Sequence, residues 1–80
     1  MDQLRRRPDV VWRLGPDRVL VRRIGEDGLD LMGAAALVWI ALDRPQPIET
    51  LEAELRASAG EVDVESAVSE LVSAGVIEWT

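Results

Sequence analysis

Leu29-Asp30-Leu31-Met32-Gly33-Ala34-Ala35-Ala36-Leu37-Val38-Trp39-Ile40-Ala41-Leu42 is the stretch on which the fold turns. Its first three residues alternate, leucines to one face and Asp30 to the other, which is the period of a strand. From Ala34 to Leu42 the alternation stops and the chain is apolar nearly all round, which predicts a helix buried over much of its surface. Strands precede this switch and helices follow it.

Working back toward the N-terminus, Val10-Val11-Trp12-Arg13-Leu14 alternates again. Val10, Trp12 and Leu14 fall on one face, Val11 and Arg13 on the other, as in a half-buried strand. Gly15-Pro16-Asp17 supplies turn residues. Arg18 to Ile24 is a second, β-branched strand, and Gly25-Glu26-Asp27-Gly28 a second turn. Short connections between consecutive strands imply an antiparallel meander with the Leu29–Leu31 strand at its edge.

Working forward, Pro45 and Pro47 close the first helix and open a second, Ile48 to Ser58, with Ile48, Leu51 and Leu55 at helical spacing. Gly60 stops it. Asp63 is placed to cap a third helix running to Ala74, with Val64, Ala67, Val68, Leu71 and Val72 as its apolar stripe. Gly75 is the expected residue after its end, with Val76 packing back. The predicted fold is α+β: a three-stranded antiparallel meander followed by three α-helices, resembling a winged helix-turn-helix unit. Residues 1–7 are expected to be a flexible N-terminus and 8–80 a single domain. The Arg5-Arg6-Arg7 run reads as a solvated part of that terminus.

Composition narrows the function. The chain has 80 residues, 48% of them hydrophobic, with three Trp and no other aromatic residue. It has no His, Cys, Lys or Tyr. The commonest general base and the commonest zinc ligands are therefore missing. Ser58, Ser66, Ser69 and Ser73 have no base to activate them. Glu49, Glu52 and Glu54 belong to a solvated helix face. Glu61, Asp63 and Glu65 lack the glycine-centred loop of a calcium site. No cofactor, no metal and no catalytic residue is expected, so the chain does not read as an enzyme. No secretory signal or membrane-spanning run is apparent, and a cytoplasmic protein without a membrane partner is expected.

Charge is divided unevenly. Residues 1–25 carry seven Arg against three Asp, whereas residues 26–80 carry two Arg against twelve acidic residues, for a net charge of −6. A DNA-reading helix would be the third, but it holds Asp63, Glu65 and Glu70 with no cation, and would repel phosphate. Nucleic acid is thus excluded as a partner. A free strand edge remains, which an extended peptide can join through backbone bonds. The third helix supplies an apolar wall where it lies beside that edge; the alternative is that Val64, Ala67 and Val68 are simply core.

The order of motifs resembles the PqqD-like family over about residues 8–78. The resemblance is carried by Pro8 ahead of Val11-Trp12-Arg13, then Leu31-Met32, Ala34-Ala35-Ala36, Val38-Trp39 and Leu42-Asp43-Arg44. It continues through Ile48-Glu49-Thr50-Leu51-Glu52-Ala53-Glu54-Leu55, Val64 to Val72, and Gly75-Val76-Ile77. Met32 stands where the family has a capping Asn, and Arg44 where a Gly ends the first helix. The family's members are recognition elements for ribosomally made, post-translationally modified peptides (RiPPs). They bind a precursor's leader by β-strand addition and serve a separate enzyme. Carried over, the resemblance implies a pairing edge at Leu29, Asp30, Leu31 and Met32, and a wall at Val64, Ala67, Val68 and Leu71. Leu29 and Leu31 are open to two readings, groove or core; Asp30 and Met32 point the other way and are the better candidates for side-chain contact. The implied partners are a precursor leader peptide and a modifying or proteolytic enzyme. A lasso-peptide leader peptidase is favoured by the shortness of the domain. The alternatives are a peptide chaperone for a radical SAM enzyme of quinone-cofactor biosynthesis and a general protein-interaction domain.

Overall fold

A computed structural model describes residues 2–80. Five strands and three helices follow in the order β1 (Leu4–Arg6), β2 (Val10–Leu14), β3 (Val19–Arg23), β4 (Leu29–Leu31), α1 (Gly33–Ala41), α2 (Ile48–Ala59), α3 (Val64–Ser73) and β5 (Ile77–Trp79). The fold is α+β, with a three-stranded antiparallel sheet ordered β2-β3-β4 and three helices, as the change of period predicts. No helix among the described residues is long and apolar enough to cross a membrane.

The sheet lays its Val19, Val21 and Leu31 side chains against the helices, all three at most 4% exposed. Trp39 and Val38 of α1, Leu51 of α2 and Leu71 of α3 close over them and are almost fully buried. Each such large apolar side chain contributes about 1.5–3 kcal/mol when fully withdrawn from water. α3 packs chiefly on α1, and α2 also packs there, so α1 is the central helix.

The N-terminus corrects the expectation. Met1 lies outside the described residues, but Leu4–Arg6 is a strand, not a flexible tail. β1 pairs antiparallel with β5 in a second sheet, Leu4 opposite Trp79, Arg5 opposite Glu78 and Arg6 opposite Ile77. Leu4 is 0% exposed and exchanges backbone bonds with Gln46 at 2.8 and 3.1 Å. The Arg run is not free in solvent either. Arg5 Nε donates to Glu78 Oε2 at 2.7 Å, and Arg7 Nε to Asp9 Oδ1 at 3.0 Å. Arg6 turns inward to α1. Alternation is present in Ile77-Glu78-Trp79, but its partner β1 lies at the opposite end of the chain, with no short turn to announce the pairing as there is before Leu29.

The ends of the helices follow local chemistry in two cases and tertiary contacts in the third. Asp63 Oδ1 accepts from the Ser66 N–H at 3.1 Å and caps α3, and that bond holds its carboxyl below the usual aspartate value. Gly75, at φ 77°, ends α3: its N–H donates to Val72 O, and that of Val76 to Leu71 O. α1 has neither device. Met32 offers no side-chain cap, and no glycine follows Leu42. Two side chains from outside the helix, one of them far away in sequence, serve its last carbonyls instead. Arg6 donates to Trp39 O at 2.7 and 3.0 Å and to Ile40 O at 3.3 Å, while Gln46 Nε2 donates to Ala41 O at 2.7 Å. These bonds satisfy groups a helix end leaves unpaired, and they bring a cation to the negative end of the dipole.

Candidate functional site

The phase of the sheet ladder decides which backbone groups are free. In an antiparallel pair, mutually bonded residues alternate with non-bonded ones. The Gly15 N–H donates to Arg18 O at 2.7 Å, and the Ile24 N–H to Asp9 O at 3.1 Å, one bond beyond each end of the β2–β3 pairing. Val11/Arg22 and Arg13/Leu20 fall on the same phase. Val19 and Val21 therefore turn their backbone groups toward β4, where they lie opposite Leu31 and Leu29. That leaves the N–H and C=O of Asp30 directed away from the sheet, at the open edge.

This edge opens on a groove. A cavity of about 320 Å³ is lined by Leu29, Asp30, Leu31 and Met32 on one side, Ala35 of α1 at its base, and Glu70, Leu71 and Ala74 beside the end of α3. Leu31 is 4% exposed and anchors the strand, whereas Leu29 at 41% and Met32 at 56% remain open to solvent. The two readings of the leucines thus divide: Leu31 is core that touches the groove, and Leu29 is groove surface. The Asp30 carboxylate lies on the outer face of the sheet and accepts from Arg18 Nη1 at 2.9 Å. The edge carries no proline and no inward charge to block another strand.

The wall differs from the one carried over from the family. Val64, Ala67 and Val68 are 3–4% exposed and sit in the core. They do not line the groove. Leu71 does, and its neighbours there are Glu70 and Ala74. The apolar stripe of α3 faces α1 and the sheet because a domain this small needs it for core, and the groove takes only the margin of the helix. Helical periodicity cannot separate a stripe from its margin, so Glu70 and Ala74 carried no signal in the sequence.

Two further surfaces are notable. The outer sheet face carries Val11, Arg13, Leu20 and Arg22 around a shallow depression. On the other side, Leu14 (65% exposed) meets Leu37 (37%) and Ile40 (47%) of α1 across a cleft of about 380 Å³. The half-buried strand expected at Val10–Leu14 is present but more open than that. β2 is the other edge strand of the sheet, and four of its five residues stay exposed. Trp12 is 42% exposed and meets Trp39 edge-on, with ring centroids 6.0 Å apart. The Arg6 guanidinium lies 4.6 Å from the Trp12 ring and 4.9 Å from that of Trp39. Burial pulls its pKa below the ordinary arginine value, with Asp43 opposing.

Chemical equipment at the groove is confined to backbone groups, the Glu70 carboxylate and apolar surface, with Asp30 turning its carboxylate to the outer face. Among the described residues no three His, Cys, Asp or Glu side chains are placed to hold a metal ion. No protein-family model matches this chain, and no curated protein or solved structure does.

Proposed function

We propose that this domain is a recognition element that binds an extended leader segment of a ribosomal precursor peptide by adding it as a strand to β4, and presents it to a separate enzyme. The observation that carries the reading is the open Asp30 backbone at the rim of an apolar groove closed by Leu71 and Ala74. Backbone pairing supplies affinity in such a complex and the groove supplies selectivity. The PqqD-like order of motifs and the winged helix-turn-helix-like succession of meander and helices support the same reading. On that resemblance the enzyme served is a lasso-peptide leader peptidase, with a radical SAM enzyme of quinone-cofactor biosynthesis as the alternative. The domain itself is non-catalytic in this proposal.

The exposed apolar cleft between Leu14, Leu37 and Ile40 favours a second reading, a general protein-interaction domain that docks a folded partner there. One experiment separates the two. A fluorescein-labelled leader from a precursor encoded beside this gene is titrated with the domain and followed by anisotropy. Saturable binding that is lost on scrambling the leader, and that is weakened by a groove substitution but not by Ile40→Ser, supports strand addition at β4. Binding insensitive to the groove and lost in Ile40→Ser supports the second reading.

A further inference from the structure

We infer that the peptide accepted by this groove carries a Lys or Arg on the strand face that meets α3, paired with Glu70; this rests on the strand-addition reading above. Of the eight residues lining the groove, six are apolar and two are acidic. The Asp30 carboxylate is already compensated by Arg18 at 2.9 Å. Glu70 is exposed and enters no ion pair among the described residues. A strand laid between β4 and α3 covers this carboxylate and strips part of its water. Covering an uncompensated charge is costly unless the incoming chain brings an opposite one. α3 itself contains no basic residue; Arg23, whose guanidinium lies against Gly75 at the end of the helix, is already engaged by Asp9 and Glu26; and residues 26–80 carry two Arg against twelve acids. The same imbalance attracts a cationic peptide from a distance and repels an acidic one.

Strand geometry places the cation further. Side chains of an added strand alternate between the face toward α3 and the face away from it. The cation that reaches Glu70 shares its face with the apolar side chains that settle on Leu29, Leu71 and Ala74. It therefore stands at an even spacing from them in the peptide sequence. The accepted segment is thus an apolar alternation in which one position of the buried-side register is Lys or Arg.

The test is an unbiased selection with a phage-displayed library of random dodecapeptides on the wild-type domain and on Glu70→Gln, Glu70→Lys and Glu65→Lys. Glu65 lies on α3 outside the groove lining, so Glu65→Lys changes net charge as Glu70→Lys does without touching the site. Both positions are exposed, and circular dichroism confirms folding of each variant. The expected result is enrichment of Lys or Arg at even spacing from apolar residues on wild type and on Glu65→Lys, with a switch to Asp or Glu on Glu70→Lys. A selected cationic peptide should lose about 3–10-fold in affinity on Glu70→Gln, the size of a partly exposed charge pair. Groove-dependent peptides that show no basic preference, or the same one on Glu70→Lys, overturn the inference and leave strand addition standing. If no selected peptide is lost when Asp30 is replaced by Pro, strand addition itself fails and the inference with it.

Discussion

At Asp30 a proline removes one hydrogen and leaves the β3 ladder whole. The N–H faces the open edge, and an edge strand tolerates the fixed φ of proline. The change also removes the exposed Arg18 pair, which solvent screening makes a minor contributor to stability. Asp30→Pro should therefore keep the native spectrum and weaken leader binding by about tenfold or more, while Asp30→Asn, which keeps the N–H, should bind nearly as well as wild type. Equal affinity for all three would remove backbone pairing at β4. Arg6 is the other residue at which one side chain does several jobs. It bonds two α1 carbonyls and lies against the faces of two tryptophan rings set at a steep angle, so Arg6→Ala loses packing and cap together. A loss of about 1–3 kcal/mol in urea unfolding is expected, with a change in tryptophan fluorescence.

Among the elements, α3 shows how a helix divides its surface between core and site. The family resemblance places Val68 in the groove wall, yet it is 4% exposed and belongs to the core. Val68→Asp would bury an unpaired carboxylate and should unfold the domain, so it reports on the core and says nothing of binding. Ala74 is the informative position. It is exposed, lines the groove and closes the helix without a side-chain bond. Ala74→Trp should fill the groove and abolish peptide binding while stability, read by thermal melting, stays within about 0.5 kcal/mol. Gly75, next along, is the opposite case. Its φ of 77° is disfavoured for any residue with a Cβ, and an added Cβ would lie 3.1 Å from Arg23 Nη1. Gly75→Ala should cost about 1–2 kcal/mol by the same measurement without altering affinity in proportion.

For the whole molecule, the N-terminal strand is the piece whose removal matters most. Deleting residues 1–7 takes Leu4 from the core, the partner from β5 and the Arg6 cap from α1. The loss exceeds the 2–5 kcal/mol typical of a buried Leu→Ala change, and a small domain has about that much stability in all. The truncated chain should be largely unfolded at 25 °C by circular dichroism; a fully folded one would show β1 to be dispensable. Acid acts on the whole molecule as well. Arg7 holds the Asp9 carboxyl, and the Ser66 N–H the Asp63 carboxyl, below the ordinary aspartate value. Such groups stabilise the fold fully above their unfolded pKa, about 3.9, and less as pH falls through the lower folded values. With no histidine in the chain, the urea midpoint should change little from pH 5 to 8 and drop below about pH 4.

Local chemistry was sufficient for much of this. The period change after Met32, the turn residues, the Asp63 cap and the Gly75 stop each act within a few residues, so the sequence by itself determined the meander, the three helices and the open strand at Leu29–Leu31. The tertiary structure decided what depends on distant partners. β1 and β5 are three residues each and exist by pairing with partners at the opposite end of the chain. Arg6 acquires its role from a helix more than 30 residues away. The groove wall keeps Leu71, loses Val64, Ala67 and Val68 to the core and gains Glu70 and Ala74, because helical periodicity gives the direction of an apolar stripe, whereas what covers it is set by packing of the whole chain.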